Sequence, residues 1–329
     1  MDVTDLLARA VAAGACDVHL AVGEVPSLRL DGELQRLELP PLSSEALQAG
    51  MGQWLDPAQQ QQWLLGDELD LALSLPALGR VRANLFRQRR GVAASLRLIP
   101  NELPTIEALM LEEVFHAISQ CQDGLVLIGG PTGSGKSSTL AALLDRINRQ
   151  RALHIVTLED PIEFLHDSHR SLVSQREVGR DCRNFAQGLR SALRQDPDVI
   201  MIGELRDLDT IRLALRAAET GHLVLATVHT RSAANCVDRL VEVFAAEEKP
   251  LVRTMLAESL RLVVAQVLVQ RMGGGRVAAR EVLVATSAVR NLIREGRLAQ
   301  LASVMQAGGG QGMRTMEGAM QALAARGVI

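Results

Sequence analysis

Positions 130–138 read Gly130-Pro131-Thr132-Gly133-Ser134-Gly135-Lys136-Ser137-Ser138, and the first eight fit the pattern GxxxxGK[ST] at every fixed position. The chemistry of such a loop is phosphate binding. Glycines let backbone N–H groups approach an anion, the lysine supplies a point positive charge, and the following hydroxyl is a ligand for a divalent cation. The pattern has this meaning only between a strand and a helix. The apolar run at 125–128 predicts the strand, and Leu140, Leu143, Leu144 and Ile147 predict one face of the helix that follows.

Three further clusters could act on a bound phosphate. The apolar stretch at 199–202 runs into Gly203-Glu204, which places an acid at a strand end where a P-loop protein needs a metal or water ligand. Gly203 stands where an ordinary Walker B strand carries Asp. A second acidic group, Glu159-Asp160-Pro161-Ile162-Glu163, follows the apolar run at 154–158, and an acid there is suited to accept a proton from an attacking water. Spacing alone does not choose among these acids. Finally, His222 and His229 bracket the apolar run at 223–228, and two histidines are too few to make a metal centre.

The elements that would carry these residues fall into two patterns. Over the first hundred positions a short amphipathic helix (Leu6, Leu7, Ala10, Val11) precedes alternating apolar residues: Leu28 and Leu30 up to Asp31-Gly32, then Leu71, Leu73 and Leu75, then Val81, Ala83 and Leu85, then Val92, Ala94, Leu96 and Leu98. These predict a small antiparallel sheet flanked by helices. The segment PNELP, with Pro100 and Pro104, disfavours both helix and central strand and predicts a boundary near position 100. Beyond it, apolar strand runs alternate with helical patterns, which predicts a mainly parallel sheet covered on both faces. After position 250, Leu256, Leu260, Val263, Val264 and Val267 predict a helical stripe. The glycine runs at 273–275 and 307–312 lack the strand-to-helix context and terminal Lys-Ser/Thr of a phosphate loop, so they predict turns or helix stops.

Composition narrows the functions available. At 329 residues the chain is long for one domain, since about 150 residues per domain is the common scale. Lys plus Arg number 35 and Asp plus Glu 38, a net charge of −3, so no basic field draws the molecule to nucleic acid or anionic lipid. Aromatic residues are 2% of the chain with no Tyr, too few for platforms that stack bases. Cys16, Cys121, Cys182 and Cys236 form no CxxC pair, which argues for reduced thiols rather than zinc or disulfides. The acidic N-terminus and the lack of an apolar run of ~18 residues predict a cytoplasmic protein without direct membrane insertion.

Taken in order, GPTGSGKSS, TLEDPIEF, DPDVIMIGELRD and TGHLVLATVHT resemble the four signatures of the type II/IV secretion ATPase superfamily. The resemblance runs from Asp17-Val18-His19-Leu20 almost to the end of the chain. It implies a RecA-like P-loop NTPase domain with a C-terminal helical region over 101–329, preceded by a small α+β, PAS-like domain over 1–100. It also implies ATP and Mg²⁺ as ligands, with Glu163 as the catalytic glutamate, Glu204 and Ser137 near the metal, and His229 as a phosphate sensor beside Lys136. Arg194 and Arg206, which flank the Walker B strand, and Arg82 and Arg97, which match arginines reaching phosphate from a neighbouring subunit, are implied as further contacts.

The absence of a tetracysteine module and the stretch Ala288-Val289-Arg290-Asn291-Leu292-Ile293-Arg294-Glu295 are similar to the retraction branch of type IV pilus motors. That branch implies a homo-hexamer, peripheral at the inner membrane through a pilus platform protein, with no nucleic-acid partner. The alternatives are an assembly or type II secretion ATPase, and a regulatory paralogue that binds nucleotide without turnover. Read from its residues alone, the 288–295 stretch is a helix with an apolar face, and Arg290 and Arg294 share a solvated basic face.

Overall fold

Period-two apolar residues and capped helices build the N-terminal part of the computed structural model, which describes residues 3–30, 32–75, 79–99 and 102–329. Asp31 of the expected turn, and Pro100 and Asn101 of the expected linker, lie outside the described residues. The chain divides into two compact units, Met1–Glu102 and Leu103–Ile329.

In the first unit, strands β1 (Asp17–Ala21), β2 (Ser27–Leu30), β3 (Glu33–Arg36), β4 (Leu69–Leu75), β5 (Gly79–Gln88) and β6 (Gly91–Ile99) form an antiparallel sheet. Their order is β3-β2-β1-β6-β5-β4. Helices α1 (Val3–Ala12), α2 (Ser44–Gly52) and α3 (Pro57–Leu65) supply the rest. Leu6, Leu7, Leu47, Met51 and Trp63 pack with Val18, Val81, Leu85 and Leu96 into one core. Local chemistry sets the bounds of α3: Asp56 and Gln59 form a reciprocal capping box, Pro57 opens the helix, and Gly66 closes it at φ 100°.

The second unit opens with α4 (Glu113–Ile118) and then winds strand and helix alternately: β7 (Gly124–Gly129), α5 (Lys136–Gln150), β8 (His154–Glu159), β9 (Leu172–Glu177), α6 (Phe185–Ala192), β10 (Val199–Ile202), α7 (Leu208–Glu219), β11 (Leu223–Val228) and α8 (Ala233–Glu242). The chain continues through α9 (Lys249–Ser259), β12 (Leu260–Gln270), β13 (Arg276–Val284), α10 (Ser287–Glu295), α11 (Leu301–Ala307) and α12 (Met316–Ala325). The sheet order is β13-β12-β7-β11-β10-β8-β9, parallel except for β13. Its inner strands are buried on both faces, as a parallel sheet under two helical layers must be. This is the α/β class expected from the sequence, preceded by the expected small antiparallel unit.

The helical stripe expected after position 250 is overturned. Leu256 is helical, but Leu260, Val263, Val264 and Val267 lie on β12, which pairs parallel with β7 and antiparallel with β13. A continuous apolar run buried on both faces satisfies helical spacing and strand spacing alike, and its β-branched content favours the strand. No helix of the described residues is long and apolar enough to cross a membrane.

Candidate nucleotide site

Register brings the chemistry to one edge. Gly129 is level with Val228, Ile202 with Ala226 and Leu158, and Glu159 with Glu177. The residues that follow β7, β8, β10 and β11, which are the four sequence clusters, therefore emerge together at the carboxyl edge of the parallel sheet, where α/β proteins bind ligands.

The loop after β7 is shaped by glycine. Gly130, Gly133 and Gly135 have φ of 149°, 75° and 86°. A side chain on Gly130 would place its Cβ 2.4 Å from Ser134 Oγ and 2.5 Å from the Gln266 carbonyl oxygen, so no other residue fits there. Helix α5 starts from Gly135 with no side-chain cap, which leaves its first N–H groups to an external acceptor. Lys136 is buried, and its Nζ donates to the loop carbonyls of Gly130 at 2.8 Å and Pro131 at 2.9 Å. Burial lowers the Lys136 pKa, and Glu163 and Glu204 oppose that shift. Ser134 Oγ is buried without a hydrogen-bond partner. An uncapped helix start, a buried ammonium and an orphaned hydroxyl around a glycine-lined turn together fit a polyphosphate. Ser137 and Ser138 are half-buried on the first turn, while Pro131, Thr132 and Gly133 form the exposed crest of the loop.

The sequence does not single out Gln266. Its side chain, almost fully buried on β12, donates through Nε2 to the Ser134 carbonyl at 2.6 Å and accepts from Thr139 Oγ1 at 3.0 Å. It thus ties the phosphate loop to both α5 and the neighbouring strand. The one signal for it is a lone amide inside the apolar run 262–269, because a buried amide needs partners.

After β10 the main chain is crowded. Gly203 N donates to the Leu158 carbonyl at 2.7 Å, and a Cβ on Gly203 would lie 3.3 Å from that oxygen and 3.4 Å from Glu159 Cα. A side chain at this position would be a tight fit that asks β8 to give by a few tenths of an ångström, and the acid stands one residue later, at Glu204. That carboxylate is buried, and Arg206 Nε lies 2.6 Å and His229 Nε2 3.2 Å from its Oε2. The structure therefore joins Glu204, Arg206 and His229 in one cluster.

The two glutamates of the acidic box part company. Glu159 is buried, accepts from Thr157 Oγ1 at 2.7 Å and Gln175 Nε2 at 3.0 Å, and has its pKa pushed up to about 7 by desolvation. Glu163 is half-buried on the loop beyond it and acts, with Glu204, on the Lys136 charge. Glu159 is thus buried with two donors already on its carboxylate, whereas Glu163 is the member of the box that acts on the charge of the phosphate-loop lysine.

The remaining arginines lie elsewhere. Arg194 is exposed in the connection before β10, at the amino edge of the sheet, so this chain does not bring it to its own loop. Arg82 and Arg97 are cross-strand neighbours in the first unit, paired with Asp70 at 2.8 Å and Asp17 at 3.0 Å. Arg290 corrects the expectation of a solvated basic face on α10. Its guanidinium donates to the carbonyls of Ala257, Glu258, Leu260 and Ala285 at 2.6, 2.6, 2.9 and 3.0 Å, closing the end of α9, while Arg294 is exposed. Cys16, Cys121, Cys182 and Cys236 are free thiols, and burial pushes the Cys236 pKa up to about 12, which makes it unreactive.

Fold and site together define a P-loop α/β protein built to hold nucleotide phosphates at a sheet edge. The chain belongs to the family described as type II/IV secretion system protein, whose model matches residues 2–274. It is 50% identical over 329 residues to the type IV pilus retraction ATPase PilT of Pseudomonas aeruginosa, covering 100% of this chain and 96% of that one. It is 47% identical over 305 residues to a twitching motility protein of Neisseria gonorrhoeae, covering 92% and 82%. The crystal structure of the pilus retraction motor PilT with bound ADP matches with a TM-score of 0.90 at 41% identity, covering 100% of this chain and 94% of that chain.

Proposed function

We propose that the chain is an ATP-hydrolysing motor that powers type IV pilus retraction, acting as a homo-hexamer on a platform protein at the inner membrane. The observation that supports the chemistry is the glycine loop at the carboxyl edge of the sheet, with Lys136 buried on its own carbonyls, Ser134 Oγ unpartnered and the start of α5 uncapped. The output is supported by the full-length likeness to a pilus retraction ATPase.

The N–H groups of the loop and Lys136 hold the β- and γ-phosphates, and Lys136 exchanges its loop carbonyls for phosphate oxygens. Among the described residues no group of three or more His, Cys, Asp and Glu side chains is placed to hold a metal ion. That fits Mg²⁺, which takes few protein ligands and completes its shell with phosphate and water; Ser137 and Glu204 would be those ligands. Bound there, the ion would neutralise charge on the phosphate oxygens. Glu163 accepts a proton from the water as its oxygen attacks the γ-phosphorus, and the bond to the β-bridging oxygen breaks to release ADP and phosphate. His229, held by Glu204, contacts the γ-phosphate, and Arg206 shares the Glu204 carboxylate. Arg82 and Arg97 contact phosphate from a neighbouring subunit of the ring.

Glu163→Gln tests this reading, since it removes the base and leaves the cradle intact. Nucleotide affinity should stay within a few-fold while phosphate release falls by roughly 100-fold or more, and cells carrying only this variant should keep their pili extended. Near-normal phosphate release would remove Glu163 from the mechanism.

A further inference from the structure

The loop that carries Glu163 is stitched to the edge strand β9 by two side chains. Gln175 and Glu177 are two residues apart on a strand and so project from the same face. Glu177 Oε2 accepts from Ile162 N at 3.1 Å. The Gln175 amide donates through Nε2 to the Phe164 carbonyl at 2.8 Å and accepts through Oε1 from His166 N at 2.8 Å. The three bonds fall on residues 162, 164 and 166, as they would if a further strand were paired there, but the partner is a pair of side chains rather than a backbone. Glu163 lies between the first two. The same Gln175 Nε2 also donates to the buried Glu159 at 3.0 Å, which anchors the amide to the end of β8.

We infer that Gln175 and Glu177 are positioning residues for hydrolysis, which hold the 162–166 segment so that Glu163 meets the attacking water at the γ-phosphate. The inference rests on Glu163 being the base. Neither side chain contributes to the glycine loop or to the α5 start, so nucleotide binding does not depend on them. A general base must come within hydrogen-bond reach of the water, and a misplacement of about 1 Å costs on the order of 100-fold in rate. Loosening the loop therefore acts on kcat, while the KM for ATP and the affinity for nucleotide stay as they are.

The test compares Gln175→Leu, Glu177→Leu, Glu177→Gln, Glu163→Gln and the double variant Gln175→Leu/Glu163→Gln, each as the full chain. Measured are steady-state phosphate release, affinity for a fluorescent ATP analogue, oligomer size and melting temperature. Gln175→Leu should lower kcat by roughly 10- to 100-fold with unchanged affinity. Glu177→Leu should move the same way, and Glu177→Gln, whose Oε1 still accepts from Ile162 N, should restore turnover. If Gln175 acts through Glu163, the double variant should be no slower than Glu163→Gln alone. A Gln175→Leu protein with kcat within twofold of the parent, beside an inactive Glu163→Gln, would overturn the positioning role and leave the base assignment standing. Active Glu163→Gln would remove both. If Gln175→Leu does not fold, the Glu177 pair decides: equal turnover in Glu177→Leu and Glu177→Gln overturns the inference.

Discussion

The two edges of the parallel sheet are built on opposite principles. At the amino edge polar groups are tied down. His154 N donates to Asp198 Oδ2 at 2.8 Å, His154 Nδ1 lies 2.9 Å from the Gln195 carbonyl, and Asp198 and His222 pass the backbone ladder from strand to strand. Arg261 pairs with Asp123, Arg151 bonds the Cys121 carbonyl at 2.6 Å, and Arg290 closes α9 just before β12 begins. At the carboxyl edge Ser134 Oγ has no partner, Lys136 leans on carbonyls of its own loop, and α5 starts without a cap. An edge whose polar groups are paired in this way contributes stability. Groups held short of their best partners are available to a ligand, and their incomplete satisfaction is carried by the rest of the unit.

Substitutions at the two edges should accordingly fail in different ways. The largest effect is expected from Lys136→Ala. It should cut ATP turnover by roughly 100- to 1,000-fold, while the melting temperature holds or rises because a buried ammonium is removed; a variant that unfolds but hydrolyses ATP normally when folded would erase the contrast. Next is Arg290→Glu, which strips four carbonyls of their donor and should cost about 2–4 kcal/mol in urea denaturation. Arg294→Glu, on the exposed side of the same helix, should cost less than about 0.5 kcal/mol. Equal effects at the two positions would return α10 to a uniformly solvated basic face.

An effect smaller than that of Arg290→Glu is expected at Glu159, and it carries a pH signature. Its pKa in the fold is about 7 against an ordinary 4.5, so stability from this group is fully present below about pH 4.5 and is lost as the pH rises through 7. Glu159→Gln has no charge to lose. It should be more stable than the parent at pH 8 by on the order of 1–2 kcal/mol, once the pH-independent cost of burying the new amide is included, and this advantage should shrink and reverse as the pH falls towards 4.5. A stability difference independent of pH would mean that Glu159 titrates alike in the folded and the unfolded chain.

The parts of the site written in contiguous residues are legible in the sequence itself. Gly130 to Ser137 carry their own geometry, because φ values near 75–149° select glycine and the flanking strand and helix have clear periods. The class of the sheet is also legible, from apolar runs too continuous for a one-sided strand. What the sequence hides depends on neighbours far away along the chain. β12 reads as helix until β7 and β13 are seen on either side of it. β9, with Ser174, Gln175, Arg176 and Glu177, has no apolar period because it is an edge strand whose polar side chains hold a loop. Arg290 looks like an ordinary surface residue, and Gln266 shows only as a lone amide in an apolar run, since the carbonyls they serve are supplied by other elements. Gly203 stands out in the sequence as a departure from the usual acid, and in the fold it packs closely against Leu158 and Glu159.

The missing cap of α5 also makes the stability of the second unit a matter of concentration. Asn184, Asp207, Ser232, Thr286 and Thr315 cap their own helices, whereas α5, like α4, α9 and α11, has no side-chain cap; at α5 phosphate oxygens can take that place, so part of its folding free energy is held by the nucleotide pool. A ligand at 100 times its dissociation constant adds about 2.7 kcal/mol to the folded state. Cells whose ATP and ADP fall together would thus hold a more labile chain, and one more exposed to proteolysis, before any change in the amount of motor made.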